Sequence, residues 1–124
     1  MVLSWNYLEQ FHLNSPNILF PREDIVQKKY DKHKKNIGMQ IDKYIIDIIL
    51  KNHKYKITIN RFPYKLDNNI GHYLLWISPK YKLLQNEIED IIKKKFKNKK
   101  FICFQNKLET RSIKTIEHYQ IFIT

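Results

Sequence analysis

The sequence predicts an α+β fold: an antiparallel sheet of about four strands, an N-terminal helical layer, and one amphipathic helix between the second and third strands. Three observations carry this. Up to about residue 52 the apolar residues recur at helical spacing. Beyond it they alternate with period two, in short segments bounded by Pro, Gly and Asn. Inside that second half one stretch, "LLQNEIEDIIKKKF", returns to the helical period.

Taken in order, Ser4 precedes "WNYLEQFHL" and predicts an N-capped short helix, followed by a loop at "NSPN". Pro21 precedes "REDIVQKKYDKHKKN", whose acidic residues come first and lysines last, the order that complements a helix dipole. Gly38 is placed to end that helix. In "QIDKYIIDIILKN", Ile41, Tyr44, Ile45, Ile48 and Ile49 share one α-helical face. "YKITIN" then alternates as a strand, and "RFPYKLDNN" is a loop because Pro63 has no N–H for a ladder. "GHYLLWIS" is the second strand, stopped by Pro79; from the helix after it Leu84, Ile88, Ile91 and Ile92 face inward. "KFICFQ" is the third strand, "NKLETRSIKTI" a turn, and "EHYQIFI" the last strand. A chain of 124 residues has material for one core. Residues 1–124 are therefore expected to form a single domain, 1–52 helical and 53–124 sheet-forming, with the helices over one face of the sheet.

Composition narrows the function classes. A hydrophobic fraction of 43% suits a folded chain and not a disordered tail. No apolar run approaches the ~20 residues a bilayer span needs, and the first residues lack a basic region followed by an apolar one. The expectation is an intracellular, cytoplasmic protein without membrane contact. Cys103 is the single cysteine, so it reads as a buried strand residue with neither a disulfide nor a thiolate cluster. No metal site or cofactor is expected, and nothing in the residues sets an oligomeric state. The net charge of +11 normally points to polyanions. Yet Lys, Ile, Asn and Tyr make up nearly half the chain, alanine is absent, and lysine far outnumbers arginine. That is the profile of a strongly AT-rich genome, as in some protists and giant viruses. Codon usage accounts for the lysines ahead of selection for phosphate recognition, which favours the arginine fork. Weak, sequence-indifferent nucleic-acid binding is the expectation that remains.

The chemistry-bearing positions lie on two strands that echo one another, "IGHYLLWIS" and "IEHYQIFI". Alternation places His72, Leu74, Trp76 and Ser78 on one face of the first, opposite Tyr73, Leu75 and Ile77. In the last strand His118, Gln120 and Phe122 oppose Tyr119, Ile121 and Ile123. If the strands are neighbours, His72 and His118 approach one another. The loops add Asn60, Arg61 and Tyr64 from "NRFPY", and Asn106, Arg111 and Ser112 from "NKLETRS". The chain holds only three arginines and two of them fall here, which suggests that their geometry matters. Arginine forks, imidazoles and amides together make a phosphate-binding set. The expectation is one pocket shared by His72, His118, Arg61 and Arg111. His12, His33 and His53 have no partner pattern and read as surface residues. There is no glycine-rich phosphate loop, no Gly-x-Ser-x-Gly elbow, no zinc helix and no well-placed acidic pair.

Over nearly its whole length the chain resembles the fungal N-acetylglucosamine-induced protein family. Trp5 and Arg22 match early positions of that family, and "NRFPYKLDNNIGHYLLW" and "FQNKLETRSIKTIEHYQIF" are similar to its two motifs. Asn60, Pro63, Tyr64, His72, Trp76, Asn106, Ser112, Glu117 and His118 match residue by residue. Lys107 stands where the family has tryptophan, and Gln120 where it has a second histidine. More distantly, "PYKLDNNIGHYLLWISPK" and the closing "HYQ" resemble histidine-triad nucleotide hydrolases and transferases. That resemblance implies His118 as the group attacking a phosphoryl centre and Gln120 as a ligand for a phosphate oxygen.

The functional reading is a member of the N-acetylglucosamine-induced family that binds a phosphorylated metabolite, a nucleotide or nucleotide-sugar. His118 and His72 are the catalytic candidates; Asn60, Arg61, Tyr64, Trp76, Asn106, Arg111, Ser112 and Gln120 are the binding candidates. Whether substrate is turned over stays open. A reaction here would be histidine-dependent nucleotidyl or phosphoryl transfer, or hydrolysis. The alternative is a non-catalytic interaction module that binds RNA through its basic surface, in which the two histidines only hold strands together.

Overall fold

The computed structural model describes all residues except Ser112 and Lys114, and only the backbone of Met39. Its helices are α1 (Trp5–Glu9), α2 (Asp24–Ile37), α3 (Ile41–Tyr44) and α4 (Gln85–Lys95); its strands are β1 (Tyr55–Ile59), β2 (Gly71–Ile77), β3 (Phe101–Phe104) and β4 (His118–Ile123). The strands form one antiparallel sheet in the order β1-β2-β4-β3. β2 and β3 therefore run parallel on either side of β4, with α4 in the connection between them. The α+β architecture and the placing of α4 agree with the sequence. No helix among the described residues is long and apolar enough to cross a membrane.

Local signals explain most boundaries. The Ser4 side chain accepts from the Tyr7 N–H at 3.1 Å and caps α1. Gly38 takes φ +60° at the end of α2, a conformation that favours glycine, and the chain passes through a short 3₁₀ turn into α3. The next segment departs from expectation, because Ile45–Leu50 form a π-helix. Its i→i+5 bonding, seen in Lys51 N–H to Ile46 O at 3.0 Å, brings Ile45 and Leu50 together onto the core. Ile48 is rotated outward and is 54% exposed, so the α-helical face drawn from the sequence fails at that position, while Ile49 still packs against the core. Leu84 is also outside the core at 63% exposure. It precedes the first turn of α4, where helical phase has no meaning, and its N–H donates to Glu87 Oε1 at 3.0 Å.

Helices cover both faces of the sheet, not one. Leu75, Ile77, Cys103, Ile121 and Ile123 pack on Ile88 and Ile92 of α4. The opposite face, which carries the histidines, also bears Leu74, Trp76, Ile102, Phe104 and Phe122, and that much apolar surface must itself be covered. Leu3, Leu8 and Phe20 pack over one end of it, and Ile45, Leu50 and Ile116 pack on Trp76 at the other. Between these two clusters the cover is incomplete.

Candidate functional site

The gap in that cover is a cleft of about 150 Å³. Its floor is the histidine face of the sheet, with Leu74 and Trp76 from β2 and His118 and Gln120 from β4. Tyr30 and His33 of α2 and Tyr44 of α3 form one wall. Arg22, Phe62 and Tyr64 form another, and the connection after β3 adds Asn106 and Thr110. Leu19, Ile59 and Arg61 also belong to the lining and are exposed, so the cleft opens to solvent.

His118 sits on this floor in a defined protonation state. Its Nδ1–H donates to the Ile116 carbonyl at 3.0 Å. Burial holds its basicity below that of free imidazole; the Ile116 carbonyl opposes this and the Arg111 charge adds to it. The ring is therefore neutral at pH 7, with its lone pair on Nε2. Among the described residues nothing bonds to Nε2, and the ring lines the cleft beside Trp76, 4.9 Å between centroids. A neutral imidazole held in this tautomer is an acceptor, a general base or a nucleophile.

His72 occupies the same face but not the same place. Register pairs His72 with Phe122 and His118 with Trp76, so the histidines stand four residues apart along the ladder. At ~3.3 Å per residue that is roughly 13 Å, and the two rings do not meet. Alternation places both on one face, but only the register tells how far apart they stand. His72 is buried and lies outside the cleft lining. Burial pushes its pKa down to about 3, with Gln120 opposing and the Arg22 charge adding. The backbone N–H of Tyr64 can only donate, and it donates to His72 Nδ1 at 3.2 Å. The proton of the neutral ring is thus on Nε2, where it donates to Gln120 Oε1 at 2.7 Å. This orients the Gln120 amide. Its oxygen is spent on His72, and its NH₂ is left for the cleft. Two residues apart on one face of β4, His118 thus offers an acceptor and Gln120 a donor.

The other expected site residues divide. Asn60 lies on the lining, but its Oδ1 accepts from the Phe62 N–H at 2.9 Å and its amide nitrogen rests against His72, so it shapes the 60–64 turn. Tyr64 is buried and its hydroxyl pKa is pushed up to about 12 by burial. That hydroxyl accepts from Asn106 Nδ2 at 2.9 Å, while Asn106 Oδ1 is buried with no partner among the described residues. Trp76 donates from Nε1 to Thr58 Oγ1 at 3.1 Å. Arg61 is exposed at the rim. Arg111 Nε donates to the Asn106 carbonyl at 2.6 Å, and the residue is not part of the lining. Ser112 lies outside the described residues. Of the four residues expected to share a pocket, the structure brings together His118 and Arg61. His72 stands on the same face beyond the cleft, packed against Tyr64 and Phe122, and Arg111 turns to the main chain.

Sequence reasoning missed Arg22, Tyr30 and His33, all contributed by the N-terminal half. A signal for Arg22 existed, since it is the third of only three arginines. His33 is not a plain surface residue: it packs on Phe62 at 5.1 Å, and burial, then the Arg61 charge, lowers its pKa. His12 also departs from the surface reading, because its Nδ1 accepts from the Cys103 N–H at 3.0 Å. His53 is exposed, as expected.

An α+β sheet with a cleft over its histidine face defines the class. The chain belongs to a family described as protein of unknown function, DUF3605, which matches residues 4–124. The crystal structure of HTC1 is similar in fold, with a TM-score of 0.65 and 17% identity, covering 97% of this chain and 84% of that one. At that identity the likeness concerns fold alone. No curated protein matches the chain.

Proposed function

We propose that the cleft binds a small phosphorylated metabolite, a nucleotide or nucleotide-sugar, with His118 against its phosphoryl group. The observation that carries this is the bare Nε2 of a buried, neutral His118 on the cleft floor. Three features support it. The Gln120 amide offers a donor next to that acceptor. Arg22 and Arg61 are charged, and no acidic residue stands among the described lining residues. Apolar and aromatic side chains form much of the walls, as suits a base or sugar ring. Pockets for drug-sized ligands typically measure roughly 300–1,000 Å³, so a cleft of about 150 Å³ takes the phosphate end of a nucleotide while the remainder lies in the open mouth.

The resemblance to the histidine-triad enzymes favours the same atom as nucleophile. Nε2 forms a bond to phosphorus as the bond to the leaving oxygen breaks, and water or an acceptor hydroxyl then takes the phosphoryl group. The resemblance to the N-acetylglucosamine-induced family directs attention to amino-sugar derivatives. The RNA-binding alternative is weaker. Outside the cleft helices and loops cover both faces of the sheet, and Trp76 on the cleft floor is buried, so among the described residues the sheet has no open aromatic platform for bases to stack upon.

A thermal-shift screen of nucleotides, nucleotide-sugars and amino-sugar phosphates tests the reading, since a ligand of the native state raises its stability. The expected result is a hit that His118→Ala loses while remaining folded. A panel with no hit, or a hit that His118→Ala keeps in full, contradicts it. Turnover of the hit assigns an enzyme, and binding without turnover assigns a sensor or carrier.

A further inference from the structure

We propose that Arg22 is the anion clamp of the cleft, the residue that takes the charged group of the ligand. This rests on the reading above and narrows it to one guanidinium. Arg22 lies just before α2, far in sequence from the histidine strands, yet it lines the cleft. Its Nε donates to the Phe62 carbonyl at 2.7 Å. Its Cζ lies over the Tyr30 ring at 4.4 Å and over the Tyr64 ring at 5.1 Å. One nitrogen is thus bonded and the guanidinium rests against two tyrosine rings, which leaves the distal nitrogens as its unused hydrogen-bonding groups among the described residues. Those nitrogens have no protein acceptor, and no carboxylate partner, among the described residues.

A partly buried arginine without a counter-charge is unusual, because removing the charge from water needs compensation. A guanidinium in a fixed plane matches two oxygens of a phosphate and loses little freedom on binding. The other two arginines lack this arrangement. Arg61 is exposed, its Cζ 5.5 Å from the centroid of its neighbour Phe62, and Arg111 is turned to the Asn106 carbonyl. The clamp is also linked to the floor. Tyr64, which stacks under Arg22, fixes His72 through its N–H, and His72 fixes Gln120. An anion on Arg22 is thereby set in a fixed relation to the Gln120 amide.

The test uses inorganic phosphate and pyrophosphate on the full chain, by calorimetry and thermal shift at constant ionic strength, with circular dichroism to check folding. The variants are Arg22→Lys, Arg22→Gln and, as a charge-matched control, Lys97→Gln in the exposed turn after α4. Native protein and the control should bind pyrophosphate alike. Arg22→Gln should weaken binding about ten-fold or more, and Arg22→Lys should weaken it several-fold because a point charge cannot replace the fork. If Arg22→Gln does not fold, Arg22→Lys carries the test. No binding by the native chain, native affinity in both Arg22 variants, or equal loss in Lys97→Gln would overturn the assignment. A nucleotide hit lost in His118→Ala but kept in Arg22→Gln leaves the phosphorylated-ligand reading standing and removes Arg22 from it. Pyrophosphate bound through Arg22, with no nucleotide or sugar phosphate bound, keeps the clamp and rejects that reading.

Discussion

Acid should destabilise this protein through His72, by an amount that follows from its burial. The unfolded chain takes up a proton on His72 below about pH 6.5, whereas the folded chain refuses it until about pH 3. Between those values the unfolded state binds more protons, so stability falls as pH falls. At ~1.36 kcal/mol per pH unit the full interval is worth ~5 kcal/mol, and at pH 4.5 the loss is already ~3 kcal/mol. Against the ~5–15 kcal/mol that holds a typical domain, this is a large share. His118 also has a depressed pKa and adds to the same trend, so the contribution of His72 must be isolated by substitution. His72→Gln serves, because an amide accepts from the Tyr64 N–H and donates to Gln120 without titrating. Urea unfolding across pH 4.5–7 gives the slope of stability against pH. At pH 5.5 the native slope should exceed that of His72→Gln by roughly 1 kcal/mol per pH unit. Parallel slopes would refute a neutral, buried His72 and the orientation of Gln120 derived from it.

Other consequences concern the same framework. Tyr64→Phe leaves the buried Asn106 amide without its partner and should destabilise the protein by ~1–3 kcal/mol in urea unfolding, while also weakening any cleft ligand. Burial pushes the Cys103 thiol up to about 12, so alkylation at pH 8 should track global unfolding; rapid labelling of native protein would contradict the strand packing. The exposed lysines at the end of α4 should give only weak nucleic-acid binding, lost between 50 and ~200 mM salt by counterion release. Tight, sequence-selective binding above that salt would favour the RNA-module alternative.

The strands were legible because their alternation is local and is bounded by Pro79, Gly71 and Asn60. α4 was legible because Ile88 and Ile92 keep one helical phase. The π turn at Ile45–Leu50 was not, since "IIDIIL" offers an apolar residue to either helical period. What distinguishes the two periods is which isoleucines reach Trp76 and Ile116, a tertiary contact. The site shows the same division. Alternation placed His72, His118, Gln120 and Trp76 on one face, but the register that sets His72 four residues from His118 depends on strand pairing. Arg22, Tyr30 and His33, which belong to two walls of the cleft, come from a segment some forty to fifty residues before β2, and no local pattern links them to it. Only Arg22 had pointers, the scarcity of arginine and its match to an early position of the family the chain resembles. The tautomers of His72 and His118 follow from single backbone groups, Tyr64 N–H and Ile116 C=O, that no sequence pattern reveals.

The most direct test of the central claim is long-range ¹H–¹⁵N NMR of the histidine side chains at pH 7, before and after adding the best hit of the phosphate-ligand screen. His118 should be neutral with its proton on Nδ1 and a bare Nε2, and His72 neutral with the opposite tautomer. Ligand should shift His118 Nε2 strongly and His72 little. A His118 that carries its proton on Nε2, or is charged at pH 7, or does not move when ligand binds, would contradict the placing of the ligand against it.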